Sequence, residues 1–215
     1  QVLSLIRQTG IVAIIRGTPI EDLPGLVKAL KSSGIRAIEV TMNTAQALDM
    51  VEWLVHHVGS DMAVGAGTVL DTESARSAIL AGASFIISPS LNSKTIETCH
   101  RYGIPVIPGA LTPTEVLAAW ELGAPLVKIF PAGRLGPGYI KDLRGPFPQI
   151  EMVAVGGITL ANAADFVRVG CAALGVGSEL VDRRLLAEKR FDVIAERAAR
   201  FLDTVRQGRD KAQAG

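Results

Sequence analysis

The chain has 215 residues, with 22 Lys and Arg against 21 Asp and Glu, for a formal net charge of +1. Basic residues are scattered rather than clustered, so nonspecific nucleic-acid binding has no electrostatic footprint and no nucleic-acid partner is expected. No apolar run reaches the ~18 to 20 residues of a membrane span, and an apolar share of 48% with 22 glycines suits a soluble α/β enzyme.

Residues 1–10, QVLSLIRQTG, lack the charged start, long apolar stretch and cleavage site of a signal peptide. They read as a short amphipathic lead-in helix. Short β-rich runs follow at IVAIIR (11–16), IRAIEVTM (35–42), MAVGAGTV (62–69) and SFIISP (84–89). The series continues with IPVIPG (104–109), PLVKIF (125–130), EMVAVGG (151–157) and AALGVGS (172–178). Between them lie stretches such as PIEDLPGLVKALKSSG and TPTEVLAAWELG, with apolar residues at helical spacing and glycine near the C-cap.

Strand–helix alternation implies parallel strands joined by right-handed crossovers. Eight such units close a (β/α)8 TIM barrel, here a compact one. The rival is an open doubly wound sheet, which would carry a glycine fingerprint after its first strand. IIRGTPIEDL has none. One domain over residues 1–215 is expected, with the polar residues 207–215 as a frayed tail.

Such barrels gather functional groups at the C-terminal ends of their strands. In LVKIF, Val127 and Ile129 suit the helix-facing side, which sends Lys128 inward; in AIEVT, the same alternation sends Glu39 inward. Arg16 sits at the mouth of its strand. Lysine and glutamate form either a structural pair inside the barrel or a nucleophilic amine served by a proton shuttle. An apolar surrounding lowers an amine's pKa and leaves neutral nucleophile to attack a ketone.

The glycine loops VGGIT (155–159) and GVGSEL (175–180) end the last two strands, where these barrels often bind phosphate. Ser178 is expected to open a short helix whose N-terminus favours an anion. Thr68 ends a strand in GAGTV, whose small residues suggest that something packs against them, and Pro89 ends another in SPS. Thr112 and Glu115 read as a capping box.

His56, His57 and His100 fall in helical stretches, which favours surface roles, and the strand ends offer no metal-ligand cluster. No metal and no cofactor are expected. Cys99 and Cys171 lack metal spacing and fit buried thiols in a reducing cytoplasm, a single disulfide being the rival.

The blocks IEVTMNT, VGAGTVLD, FIISPSLN, GIPVIPGALTPTE, VKIFPAG, GPGYIKDLRGPFPQI, VGGIT and GVGSEL resemble, in order, those of the 2-keto-3-deoxy-6-phosphogluconate / 4-hydroxy-2-oxoglutarate aldolase family. The resemblance runs from about Ile11 to Leu180. It implies a class I, metal-independent aldolase on a homotrimeric barrel, taking pyruvate and a phosphorylated keto sugar acid. It implies Lys128 as the Schiff-base lysine and Glu39 as the general acid/base. Arg16 and Thr68 would hold the carboxylate, Pro89 and Phe130 would shape the pocket, and Gly156, Gly157, Gly177 and Ser178 would carry the phosphate.

Two positions depart from the phosphogluconate pattern. Asn43, a substrate-binding position by the resemblance, stands where that branch often has arginine, and Val155 where it tends to have threonine. Both resemble the phosphogalactonate branch. Phosphogluconate cleavage is the leading expectation, with phosphogalactonate or 4-hydroxy-2-oxoglutarate as alternatives. More remote are a phosphate-binding isomerase or decarboxylase without imine chemistry, and a catalytically silent ligand-binding trimer.

Overall fold

The structure, a computed structural model, describes residues 1–213. Nine parallel strand segments form one sheet: β1 (Ile11–Ile15), β2 (Ala37–Thr41), β3 (Ala63–Gly67), β4 (Phe85–Ile87), β5 (Val106–Ile107), β6 (Gly109–Ala110), β7 (Val127–Ile129), β8 (Met152–Val155) and β9 (Ala173–Val176). Their order is β5-β4-β3-β2-β1-β9-β8-β7-β6. The two outer segments are halves of one strand interrupted at Pro108, a residue with no N–H to give a ladder. The first half pairs with β4 and the second with β7, so the ring runs on through the bend. Eight strands thus surround a barrel, and the open doubly wound alternative fails.

Helices α2 (Leu23–Ser33), α3 (Ala47–His57), α4 (Thr72–Leu80), α5 (Ser93–Arg101), α6 (Pro113–Glu121), α7 (Ala132–Arg144) and α8 (Ala163–Arg168) follow the strands. Local chemistry starts several of them. Asp71 caps α4 by accepting from the Ser74 N–H, and Asn92 caps α5 by accepting from Lys94 and Thr95. Thr112 and Glu115 form the expected capping box at α6.

The strands alternate between two cores. Ile38, Val40, Val127 and Ile129 face the helical layer. Val12, Ile14, Ala37, Phe85, Ile87, Leu126, Val153 and Val155 fill the barrel. The lead-in helix α1 (Val2–Thr9) adds Ile6 to that interior, closing the N-terminal end. Burial of one such large side chain stabilises the fold by about 1.5–3 kcal/mol.

The C-terminal part differs from expectation in two places. Ser178 opens a single turn rather than a helix: the Leu180 and Val181 N–H groups bond back to the Gly177 carbonyl, and Asp182, extended at φ −80° and ψ 125°, stops the turn there. The next helix, α9, is Arg183–Ala187. Residues 207–213, expected as a frayed tail, continue helix α10 (Phe191–Gln213), whose Ile194, Ala198, Phe201 and Val205 are buried against α2 and α8. Residues 214–215 of that expected tail lie outside the described residues. Among the described residues no helix is long and apolar enough to cross a membrane.

Candidate active site

A cavity of about 780 Å³ opens at the C-terminal ends of the strands. Every residue expected at the site lines it: Arg16, Glu39, Asn43, Thr68, Pro89, Lys128, Phe130, Gly156, Gly157, Gly177 and Ser178. Lys128 and Glu39 are buried, at 4% and 2% exposure. Strand register sets their depth, with Glu39 beside Ile14 and Gly65, and Lys128 beside Gly109 and Val153.

Lys128 Nζ enters none of the ion pairs among the described residues. Glu39 Oε2 is buried with no hydrogen-bond partner. Buried polar atoms are nearly always partnered, so an unpartnered carboxylate oxygen in a cavity wall is unusual. Two ionisable groups that share a cavity without binding one another do not form a structural salt bridge.

Burial lowers the Lys128 amine from its ordinary 10.5; Glu39 opposes this and Arg16 adds to it. Burial likewise raises the Glu39 carboxyl from 4.5, against the pull of Lys128 and Arg16. Phe130 supports the ammonium form from one side, its ring centroid 4.9 Å from Lys128 Nζ. An amine with depressed basicity beside a carboxyl with raised basicity can add to a carbonyl and move the protons that the addition requires.

At the mouth, Arg16 Nη2 donates to Thr68 Oγ1 at 3.1 Å. Thr68 has φ 55°, a left-handed conformation that strains a β-branched residue by about 1–3 kcal/mol. Opposite lie Gly156 and Gly157, at φ 89° and 72°, both in the region that favours glycine. Gly156 O accepts from the Gly133 N–H at 2.7 Å, and Gly157 O from Asn162 Nδ2 at 2.9 Å. The loop carbonyls are therefore occupied, while the N–H groups of Gly156, Gly157, Gly177 and Ser178 find no acceptor among the described residues. Such a set of backbone donors suits an anion.

The small residues of GAGT do accommodate neighbours. A Cβ on Gly65 would meet the Phe85 ring at 2.4 Å, and one on Gly67 would meet the Glu39 carboxylate at 2.5 Å. Among the described residues no three His, Cys, Asp or Glu side chains gather as a metal-holding group. His56, His57 and His100 are exposed, and Cys99 and Cys171 are free and buried.

A family model described as KDPG and KHG aldolase matches residues 2–197. The chain belongs to that family. This aldolase is 35% identical over 198 residues to the 2-dehydro-3-deoxy-6-phosphogalactonate aldolase of Escherichia coli strain K12, covering 92% of this chain and 95% of that one. It is 32% identical to the 2-dehydro-3-deoxy-phosphogluconate aldolase of Treponema pallidum, covering 95% and 97%. A solved structure of the Legionella pneumophila KDPG aldolase, with pyruvate captured as a covalent carbinolamine, matches with TM-score 0.87 at 28% identity, covering 93% and 97%.

In the aldolase cavity the structure also places Ile14, Val155, Thr159, Glu179, Asp182 and Arg183. Sequence reasoning missed Ile14 as an ordinary strand residue. Glu179 and Arg183 follow Ser178 closely, and the position of that loop at the barrel mouth was the available signal.

Proposed function

We propose that this aldolase performs a reversible retro-aldol cleavage of a 2-keto-3-deoxy-6-phospho sugar acid to pyruvate and glyceraldehyde 3-phosphate, through an imine on Lys128. The observation that carries the reading is the buried Lys128 amine, lowered in pKa, sharing a cavity with the unpartnered Glu39 carboxyl. The carbinolamine of the Legionella pneumophila relative is the matching chemistry.

Neutral Lys128 adds to the C2 ketone, and Glu39 transfers protons as the carbinolamine loses water to give the iminium. That cation accepts the electron pair of the C3–C4 bond. Glu39 takes the C4 hydroxyl proton as the bond breaks and the aldehyde leaves. The resulting enamine is protonated at C3, and water releases pyruvate and free Lys128. Arg16 and Thr68 hold the C1 carboxylate, Phe130 and Pro89 wall the chain, and the backbone N–H groups of Gly156, Gly157, Gly177 and Ser178 hold the phosphate. No metal takes part in this reading.

The phosphogluconate epimer is the first substrate of the proposal. Asn43 and Val155, both in the cavity wall, favour the phosphogalactonate epimer as a second reading. Cleavage rates on the two epimers and on 4-hydroxy-2-oxoglutarate decide among them. The reading includes a homotrimer, supported by the exposed Leu80, Tyr102 and Trp120 on the helical layer and testable by sedimentation.

Pyruvate and borohydride should leave a reduced adduct on Lys128, located by peptide mass spectrometry. Lys128→Ala should retain the fold and lose both adduct and cleavage. Near-normal turnover in that variant overturns the mechanism.

A further inference from the structure

We propose that Arg183 is a phosphate-binding residue of this aldolase, setting its guanidinium on the phosphate monoester dianion beside Gly177 and Ser178. The inference rests on the reading above and adds a side chain that lies outside both glycine loops. Arg183 lines the same cavity as Gly156, Gly157, Gly177 and Ser178.

Three contacts fix where its side chain leaves the backbone. Arg183 is the first residue of α9, where Asp182 accepts from the N–H groups of Arg184 at 2.8 Å and Leu185 at 3.3 Å. Arg197 of α10 pairs with Asp182 at 3.3 Å and holds that cap in place. The guanidinium then lies over Gly17, where an added Cβ would come within 2.9 Å of Arg183 Nη2. Gly17 sits at φ 61°, and its N–H donates to Thr44 Oγ1 at 3.0 Å, so the loop after β1 offers bare, fixed backbone beneath the arginine.

The charge of Arg183 is uncommitted. Glu179 and Asp182 line the same cavity, yet Arg183 forms no ion pair and no side-chain hydrogen bond among the described residues. The other mouth guanidinium, Arg16, donates to Thr68 and is assigned with it to the C1 carboxylate. A guanidinium fork matches a phosphate in bidentate geometry, and charge-assisted bonds are about twice as strong as neutral ones. Unpaired backbone N–H groups and a free guanidinium lining one cavity suit a dianion rather than a neutral chain end.

The test compares wild type with Arg183→Ala and Arg183→Lys. Removal of the guanidinium should raise KM for the phosphorylated substrate by about 10- to 100-fold relative to any change for unphosphorylated 4-hydroxy-2-oxoglutarate. Arg183→Lys, which keeps charge without the fork, should fall between. Inorganic phosphate should raise the melting temperature of wild type and do so less in Arg183→Ala. Equal KM changes on both substrates, or equal phosphate-induced shifts in both proteins, overturn the proposal. Absence of a borohydride adduct in wild type would instead overturn the imine reading, and the phosphate titration would still judge Arg183.

Discussion

Gly67 leaves the space that the Glu39 carboxylate occupies: a Cβ there would lie 2.5 Å from Glu39 Oε1 and 2.6 Å from its carboxyl carbon. Gly67 lies in β3 and outside the left-handed region, so alanine is acceptable to its backbone and the nearest atoms it would meet all belong to the Glu39 carboxylate. Gly67→Ala should displace the carboxylate and lower kcat by up to the ~10²–10⁴-fold of a lost general acid–base. Overpacking should cost about 1–3 kcal/mol of stability, read by thermal melting. Adding Glu39→Ala should restore the stability and leave kcat low; a stability loss that persists in the double variant places the clash elsewhere.

Adduct formation should report the basicity of Lys128. The amine lies below 10.5 because of burial, and the Glu39 charge raises it while Arg16 lowers it. Borohydride-trapped pyruvate should therefore increase with pH to a midpoint below 10.5. Glu39→Gln removes the raising charge and should move the midpoint to lower pH; a midpoint at 10.5 in both proteins contradicts this. Stability carries the same sign. Between the lowered pKa and 10.5 the unfolded chain binds more protons at Lys128 than the native one, so this group's contribution rises with pH across that window. Glu39, raised above 4.5, contributes stability below 4.5 that is lost as pH rises through its folded pKa.

The cysteines should be silent in the folded protein. Burial pushes the Cys99 thiol up to about 11 and the Cys171 thiol up to about 12, leaving little thiolate at pH 8. Iodoacetamide should modify neither in the native state and both in urea. Native labelling of Cys99 would show that α5 opens locally, against the expectation.

Much of the barrel was legible because period-2 and helical patterns are local. The alternation in LVKIF and AIEVT placed Lys128 and Glu39 inside from sequence alone, since one-residue shifts would bury polar faces against the helices. The interruption at Pro108 was not legible. There the halves of one strand pair with β4 and β7, partners supplied by other parts of the chain. The start of α9 was misplaced for a similar reason: Ser178 and Asp182 are both sound caps, and Arg197 of α10 secures Asp182.

By itself the sequence determined the strand–helix order, the inward lysine and glutamate, and two glycine loops at one end. Those follow from side-chain periodicity and backbone permissiveness, which neighbouring residues decide. Tertiary structure alone decided that Lys128 and Glu39 do not pair within their common cavity, that Gly67 makes room for a carboxylate from another strand, and that Arg183 lies over Gly17. Each is a distance between segments far apart in the chain, set by the closure and register of the barrel rather than by any local preference.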